Sequence, residues 1–194
     1  IVPMFYDRGS DDLPRRWIEK MKKSMKAVTS VFNTDRMVKD YTNRFYIPCS
    51  VRHDTLTADS CRATREFTAW KQFVRKNWPN IKFKEITSDL PERPVVGEAY
   101  SVTTNIELDG LSQSDVLVQL VYGPLDADGN IFNAATSNME PIALGKKKGT
   151  LFSAPLACGT SGRYGFTVRV LPTHHLLSDA FKMGLITWAD GNCL

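Results

Sequence analysis

The stretch AYSVTTNIELDG, residues 99–110, decides the fold. Tyr100, Val102, Thr104, Ile106 and Leu108 alternate with polar neighbours, and a period of two places all five on one face of a β-strand. Asp109-Gly110 then supplies a turn. The alternation recurs in DVLVQLVYG (115–123), where Val116, Val118, Leu120 and Tyr122 share a face. It recurs again in RYGFTVRVLP (163–172), with Tyr164, Phe166, Val168 and Val170. IKFKEI (81–86) alternates more briefly, and FKMGLITWAD (181–190) supplies a last strand. Further turn signals stand at Asp128-Gly129, at Gly145 and at residues 159–162. About seven short strands separated by turns predict an antiparallel two-sheet sandwich.

Within this region SGRYGFTVRV resembles the start of strand F in immunoglobulin-like sandwiches. The resemblance makes Tyr164 a tyrosine corner and sets Phe166 where antibody domains place a cysteine. Apolar packing then replaces the inter-sheet disulfide. A buried Phe contributes about 1.5–3 kcal/mol, comparable with the roughly 2–4 kcal/mol of a typical disulfide.

Upstream of Ile81 the period is that of a helix. Ile18, Met21, Met25, Val28 and Phe32 recur at spacings of three and four and line one face, which Trp17 and Val31 widen. Asp11 or Asp12 is positioned to cap this helix, with Pro14 in its first turn. Asn33 or Thr34 caps a second helix carrying Met37, Val38, Tyr41 and Phe45, which Pro48 is expected to end. The polar residues 49–57 read as a connection. A third helix is predicted from about Ala58 to Asn77, with Ala63, Phe67, Trp70 and Val74 on its apolar edge and Pro79 as its stop. The expected class is therefore α+β: helices over residues 1–80, then an immunoglobulin-like antiparallel β-sandwich over residues 81–194.

The chain has 194 residues, 42% of them hydrophobic and 24% charged, an ordinary balance for a globular protein with a core. No apolar run approaches the roughly 20 residues of a membrane span. Residues 1–10 lack the basic start and apolar core of a signal peptide. The chain does not begin with Met and is expected to be a piece of a longer polypeptide. Cys49, Cys61, Cys158 and Cys193 are widely spaced, as free thiols of a cytoplasmic protein would be. The net charge of +4 is uneven. Residues 1–80 hold 16 Lys and Arg against 9 Asp and Glu, and residues 81–194 hold 9 against 12. A nucleic-acid site is not expected, because the basic helices also carry wide apolar stripes that need burial. A membrane-surface helix would leave the second and third helices unexplained.

The motifs that carry chemistry elsewhere are incomplete here. DADGN at Asp126 begins like a calcium loop, but Ile131 and Ser137 stand where an EF-hand needs Gly and Glu, so it reads as a turn. His174 and His175, if on a strand, point to opposite faces and cannot readily share a metal ion. CGTSGRYG at Cys158 lacks the phosphate-loop pattern and leads into a strand. No GxSxG nucleophile elbow occurs in the sequence.

Longer strings carry a second resemblance. FYDR at residues 5–8, LPRRW at 13–17 with the basic helix after it, and Phe32, Thr34, Arg36-Met37-Val38 and Tyr41 resemble the end of the catalytic region of bacterial α-glucan (glycogen) phosphorylases of the short type. VYGPLDADGNI, SGRYGFTVRVLP and LITWA resemble that family's C-terminal extension. The resemblance implies a parent that moves glucosyl units between an α-1,4-glucan and orthophosphate, giving glucose 1-phosphate, with pyridoxal phosphate as cofactor. It implies no catalytic, cofactor-binding or metal-ligating residue in these 194 positions. The family's cofactor lysine follows a Met after a Gly/Ser/Thr-rich segment, whereas Arg163 follows residues 159–162. Met21-Lys22 and Met25-Lys26 lie in an amphipathic helix. The chain alone is thus expected to be inactive. Trp17, Ile18, Met21 and Met25 are expected to dock on the catalytic lobes, and self-association through that face is expected of the isolated chain. An independent oligosaccharide-binding sandwich is the competing reading, with Tyr122 and Trp188 as candidate glucan contacts.

Overall fold

The computed structural model describes residues 1–91, 94–142, 149–159 and 161–189. Cys193 and the turn expected at Gly145 lie outside the described residues. The chain divides into two compact units, Ile1–Arg65 and Glu66–Leu194.

The first unit is helical. Helix α1 is Val2–Tyr6, α2 is Arg15–Thr29 and α3 is Thr34–Tyr41. A π-helical turn, Thr42–Tyr46, leads into α4, Ile47–Asn77, whose later residues belong to the second unit. Asn33 caps α3 as its sequence position predicts. Its Oδ1 accepts the Arg36 N–H at 2.8 Å while its Nδ2 donates to the Thr29 carbonyl at 3.0 Å, so one amide joins two helix ends. Helix α2 starts differently from expectation. Pro14 holds the N-cap position without a side-chain cap, and the Asp11 carboxylate pairs with Arg15 instead.

Pro48 does not end a helix but sits in the first turn of α4. The π turn directly before it widens the backbone where proline offers no N–H. Residues 49–57 are therefore helical rather than a connection. The true break falls at residues 58–61, where Asp59, Ser60 and Cys61 take φ values of 49°, 55° and 63°. Left-handed backbone disfavours side-chain-bearing residues by roughly 1–2 kcal/mol each. The Thr64 hydroxyl bridges the break by donating to the Leu56 carbonyl at 2.7 Å.

The second unit holds the two expected antiparallel sheets. The strands are β1 Lys82–Ser88, β2 Ala99–Glu107, β3 Val116–Pro124, β4 Ala135–Asn138, β5 Glu140–Ile142, β6 Thr150–Ala157, β7 Tyr164–Pro172 and β8 Thr187–Trp188. One sheet has the order β1-β2-β6-β5 and the other β4-β3-β7-β8. The period-two residues do what their spacing predicts. Val102 and Ile106 on β2, Val118 and Leu120 on β3, Phe152 on β6, and Phe166, Val168 and Val170 on β7 join one core. Strand β1 departs from strict alternation, because its register with β2 shifts between Phe83 and Glu85. That bulge lets Phe83 and Ile86, three residues apart, both pack on the core. FKMGLITWAD is mostly not strand: it forms a 3₁₀ turn, Ala180–Met183, and the two-residue β8. DADGN forms a tight turn, the Asp126 Oδ1 accepting the N–H groups of Asp128 at 3.0 Å and Asn130 at 2.8 Å.

The end of α4 is built into this second unit, so the compact unit begins at Glu66, ahead of the change of period near Ile81. Val74 and Trp78 are core side chains alongside those of the sheets. The Trp70 indole N–H donates to the Asp115 Oδ1 at 2.7 Å, just before β3. The His174 ring lies 4.5 Å from Trp70 and 5.0 Å from Phe67, and the Lys71 ammonium stands 4.7 Å over the other ring of that pair, Phe67. The expectation that His174 and His175 point apart fails. Strand β7 ends at Pro172, both histidines lie beyond it, and their rings are 4.3 Å apart.

Two titrating groups report on this joint. Burial pushes the Asp115 carboxyl up, but the Trp70 indole and the Ser112 N–H and hydroxyl outweigh it and hold the group below its ordinary value of 3.8. Burial, assisted by His175, pushes His174 below 6.5, against the opposing pull of Asp115. The His174 Nδ1 accepts the Leu176 N–H at 3.1 Å, which suits the neutral ring.

Trp70→Phe keeps an aromatic ring but removes the pyrrole half of the indole with its donor; urea unfolding at pH 7 is expected to show a loss of at least about 1.5 kcal/mol. A depressed histidine stabilises the fold above its unfolded value, and that contribution is lost as pH falls below 6.5 toward the folded value. The unfolding midpoint should accordingly fall between pH 7 and pH 5, and His174→Phe should flatten that slope.

Candidate docking surface and outer-sheet row

Residues 1–65 contain no buried residue. Phe32 is 72% exposed and Met25 62%, and Val28, Met37, Val38, Tyr41, Phe45 and Val51 also stand open. The helical periodicity therefore gathers apolar side chains onto faces that nothing within this unit covers. Single exposed apolar residues are ordinary, but a contiguous set marks an interaction surface.

The expected docking residues are brought together in part. Trp17, Met21 and Met25 line one groove of about 470 Å³ along α2, with Ile1, Val28 and Lys20. Ile18 is half-buried and is not part of the groove lining. Phe5 meets Trp17 edge-on at 6.4 Å, so α1 supports one end of the face. Away from this groove, α2 carries surface ion pairs, Lys23 with Glu19 at 2.7 Å and Arg16 with Asp7 at 3.4 Å, and Arg16, Glu19 and Lys23 line a separate groove with Met4. Lys23 accordingly holds the Glu19 carboxyl below its usual value. Such exposed pairs fix little energy and are screened by salt. The groove lining along Trp17, Met21 and Met25 is mainly apolar, with Lys20 as its charged member, a composition that suits a protein interface.

The second unit has an open cleft of about 420 Å³ lined by residues including Ser88, Leu90, Arg163 and Tyr164. No histidine, cysteine or carboxylate is among its described lining residues. Among the described residues no group of three His, Cys, Asp or Glu side chains comes together as a metal site requires. Of the thiols, Cys49 and Cys61 are exposed and Cys158 is buried, where loss of solvent pushes its pKa up and leaves it protonated. No helix among the described residues is long and apolar enough to cross a membrane.

The two aromatic candidates on the sheets separate. Tyr122 shares its face with Val118 and Leu120 and packs against the core. Trp188 faces outward and is 43% exposed. The sequence does not show what surrounds it. The register sets Asn138 opposite Gln119, Gln119 opposite Arg169, and Arg169 opposite Trp188, one row across all four strands. Side chains tie the row together: the Arg169 Nε donates to the Gln119 Oε1 at 2.9 Å, and the Gln119 Nε2 donates to the Asn138 Oδ1 at 2.9 Å. The Arg169 guanidinium lies 5.4 Å from the Trp188 ring and 5.2 Å from the ring of Phe181, which is 54% exposed.

A family model described as the glycogen phosphorylase C-terminal domain matches residues 78–190. Across 97% of its length the chain is 30% identical to a glycogen phosphorylase of Mycobacterium tuberculosis, covering 22% of that protein. Over a similar span it is 31% identical to a maltodextrin phosphorylase of Thermococcus litoralis, covering 21% of that protein. It is also 41% identical, over 46 residues, to a glycogen phosphorylase of Aquifex aeolicus. The chain spans about a fifth of the length of the first two relatives.

Proposed function

Because the chain belongs to the glycogen phosphorylase C-terminal domain family, we propose that it is the non-catalytic C-terminal part of a cytoplasmic α-glucan phosphorylase. The parent would cleave α-1,4-glucan with orthophosphate to release glucose 1-phosphate. The helices of residues 1–65 would dock on the catalytic lobes of the same polypeptide, and the sheet unit would serve as the scaffold that carries them. The observation that carries this reading is the absence of any buried residue in residues 1–65, beside an apolar groove formed by Trp17, Met21 and Met25. Support for the partner comes from the relatives, most of whose length has no counterpart in this chain.

The order β1-β2-β6-β5 against β4-β3-β7-β8 supports an immunoglobulin-like reading of the sheet unit. It corresponds to strands A-B-E-D facing C′-C-F-G. The Phe166 side chain occupies the core, where such domains otherwise place a cysteine.

Pyridoxal phosphate, expected of the parent, does not fit the residues described here. A Schiff-base lysine must be held out of water to lose its proton. Among the described residues no lysine is buried, and Lys22 and Lys26 are exposed on α2. No catalytic step is assigned to this chain, whose part is to complete and support the parent's fold.

Incubated with glycogen, orthophosphate and pyridoxal phosphate, the 194-residue chain should release no glucose 1-phosphate; turnover would refute a non-catalytic role. Met25→Glu with Val28→Glu, both exposed and both lining the groove, should cost the isolated chain less than about 0.5 kcal/mol, as exposed substitutions do. The same pair in the parent polypeptide should lower its melting temperature by several degrees. Equal, small effects in both would contradict docking. Light scattering of the isolated chain should show mass rising with concentration, an increase the double variant suppresses; a monomer at every concentration would contradict the exposed apolar face.

A further inference from the structure

We propose that the outer face of the β4-β3-β7-β8 sheet is an α-glucan-binding platform built from Trp188, Phe181, Arg169, Gln119 and Asn138. The geometry is that of a prepared surface. Adjacent strands lie about 4.8 Å apart, so the row spans about 14 Å, the length of a short oligosaccharide. Its polar groups are ordered before any ligand arrives, because the chain of side-chain hydrogen bonds from Arg169 through Gln119 to Asn138 fixes their rotamers. A ligand meeting them need not immobilise them, which removes a cost that flexible surface side chains impose.

The chemistry selects a neutral, hydroxyl-rich ligand. Amide side chains both donate and accept, as sugar hydroxyls do. The Arg169 Nε is taken by Gln119, and the terminal N–H groups of the guanidinium fork are donors suited to neighbouring hydroxyls. At the same end of the row the exposed Trp188 and Phe181 rings offer flat apolar surfaces for the C–H faces of sugar rings. The partners of Arg169 are an amide and two rings, none of them charged. One cation is too few for a polyanion, which is bound by neutralising several phosphates at once. The choice of α-1,4-glucan among neutral saccharides rests on the function proposed above, whereas the platform itself stands on the register and contacts of one sheet.

Native electrophoresis of the 194-residue chain through gels containing glycogen, dextran or heparin tests this directly. Glycogen is expected to retard the chain, and Trp188→Ala and Phe181→Ala should each weaken the retardation at least tenfold while leaving the far-ultraviolet circular dichroism unchanged. Arg169→Gln should weaken it as well. Maltoheptaose should protect a tryptophan from acrylamide quenching in the wild-type chain and fail to do so in Trp188→Phe. Met25→Glu, on the helical face, should leave retardation intact, so that failure of docking and failure of glucan binding read out separately. Wild-type mobility unaffected by glycogen, equal retardation of Trp188→Ala, or retardation by heparin alone would overturn the proposal. Retardation by dextran as strong as by glycogen would overturn the choice of ligand.

Discussion

Apolar side chains have to leave water, and the two units of this chain meet that demand in opposite ways. In residues 66–189 the inward faces of two sheets and the end of α4 close over one another, leaving Val74, Ile106, Leu120, Val168 and Val170 fully enclosed. In residues 1–65 the helices carry surface ion pairs and α3 is capped by Asn33, yet none of their side chains is buried. Helical periodicity concentrates apolar surface on a face, and burial requires something opposite that face. Isolated helices gain little from hydrogen bonds alone, because most helical stability in proteins comes from packing. Under the proposed function, the surface opposite those faces is supplied by the rest of a longer polypeptide.

The joint at the end of α4 shows what completion looks like. Phe67, Trp70, Val74 and Trp78 follow the same spacing rule as Ile18, Met21 and Met25. The difference is that a sheet stands opposite them. One hydrogen bond from the Trp70 indole to Asp115 and the stacking of Phe67 on His174 fix the helix where the strands begin and end. The left-handed residues 59–61 lie just before this anchored turn, so the strain falls close to the point where the chain passes from one unit to the other.

Much of this was legible in residue order. Alternation in 99–108, 115–123 and 163–172 identified β2, β3 and β7 because their inner faces are dry and their outer faces are not. The stripe on α2 was equally plain. Features that depend on local backbone accommodation were not. A proline normally stops a helix, and nothing in the sequence announces the π turn that lets α4 continue through Pro48. The bulge in β1 and the break at 58–61 are irregularities of a kind that periodicity averages away. The outer-sheet row was hidden for another reason. Asn138, Gln119, Arg169 and Trp188 are neighbours only through strand register, and Phe181 joins them from a 3₁₀ turn that the sequence reads as strand. Trp188 alone signalled something there, as a large ring near the end of the last alternating segment. The phosphorylase resemblance came from strings of identical residues, and it names a family without locating a surface.

Native-state amide hydrogen exchange on the isolated, dilute chain tests the central claim most directly, since it reports the opening free energy of each segment in turn. Amides of α2 and α3 should exchange through openings near zero free energy, while those of β3 and β7 should be protected up to the global stability of the sheet unit. Protection of α2 equal to that of β3 in a monomeric sample would contradict the account, because it would mean that the helices hold their structure without any further surface to bury them.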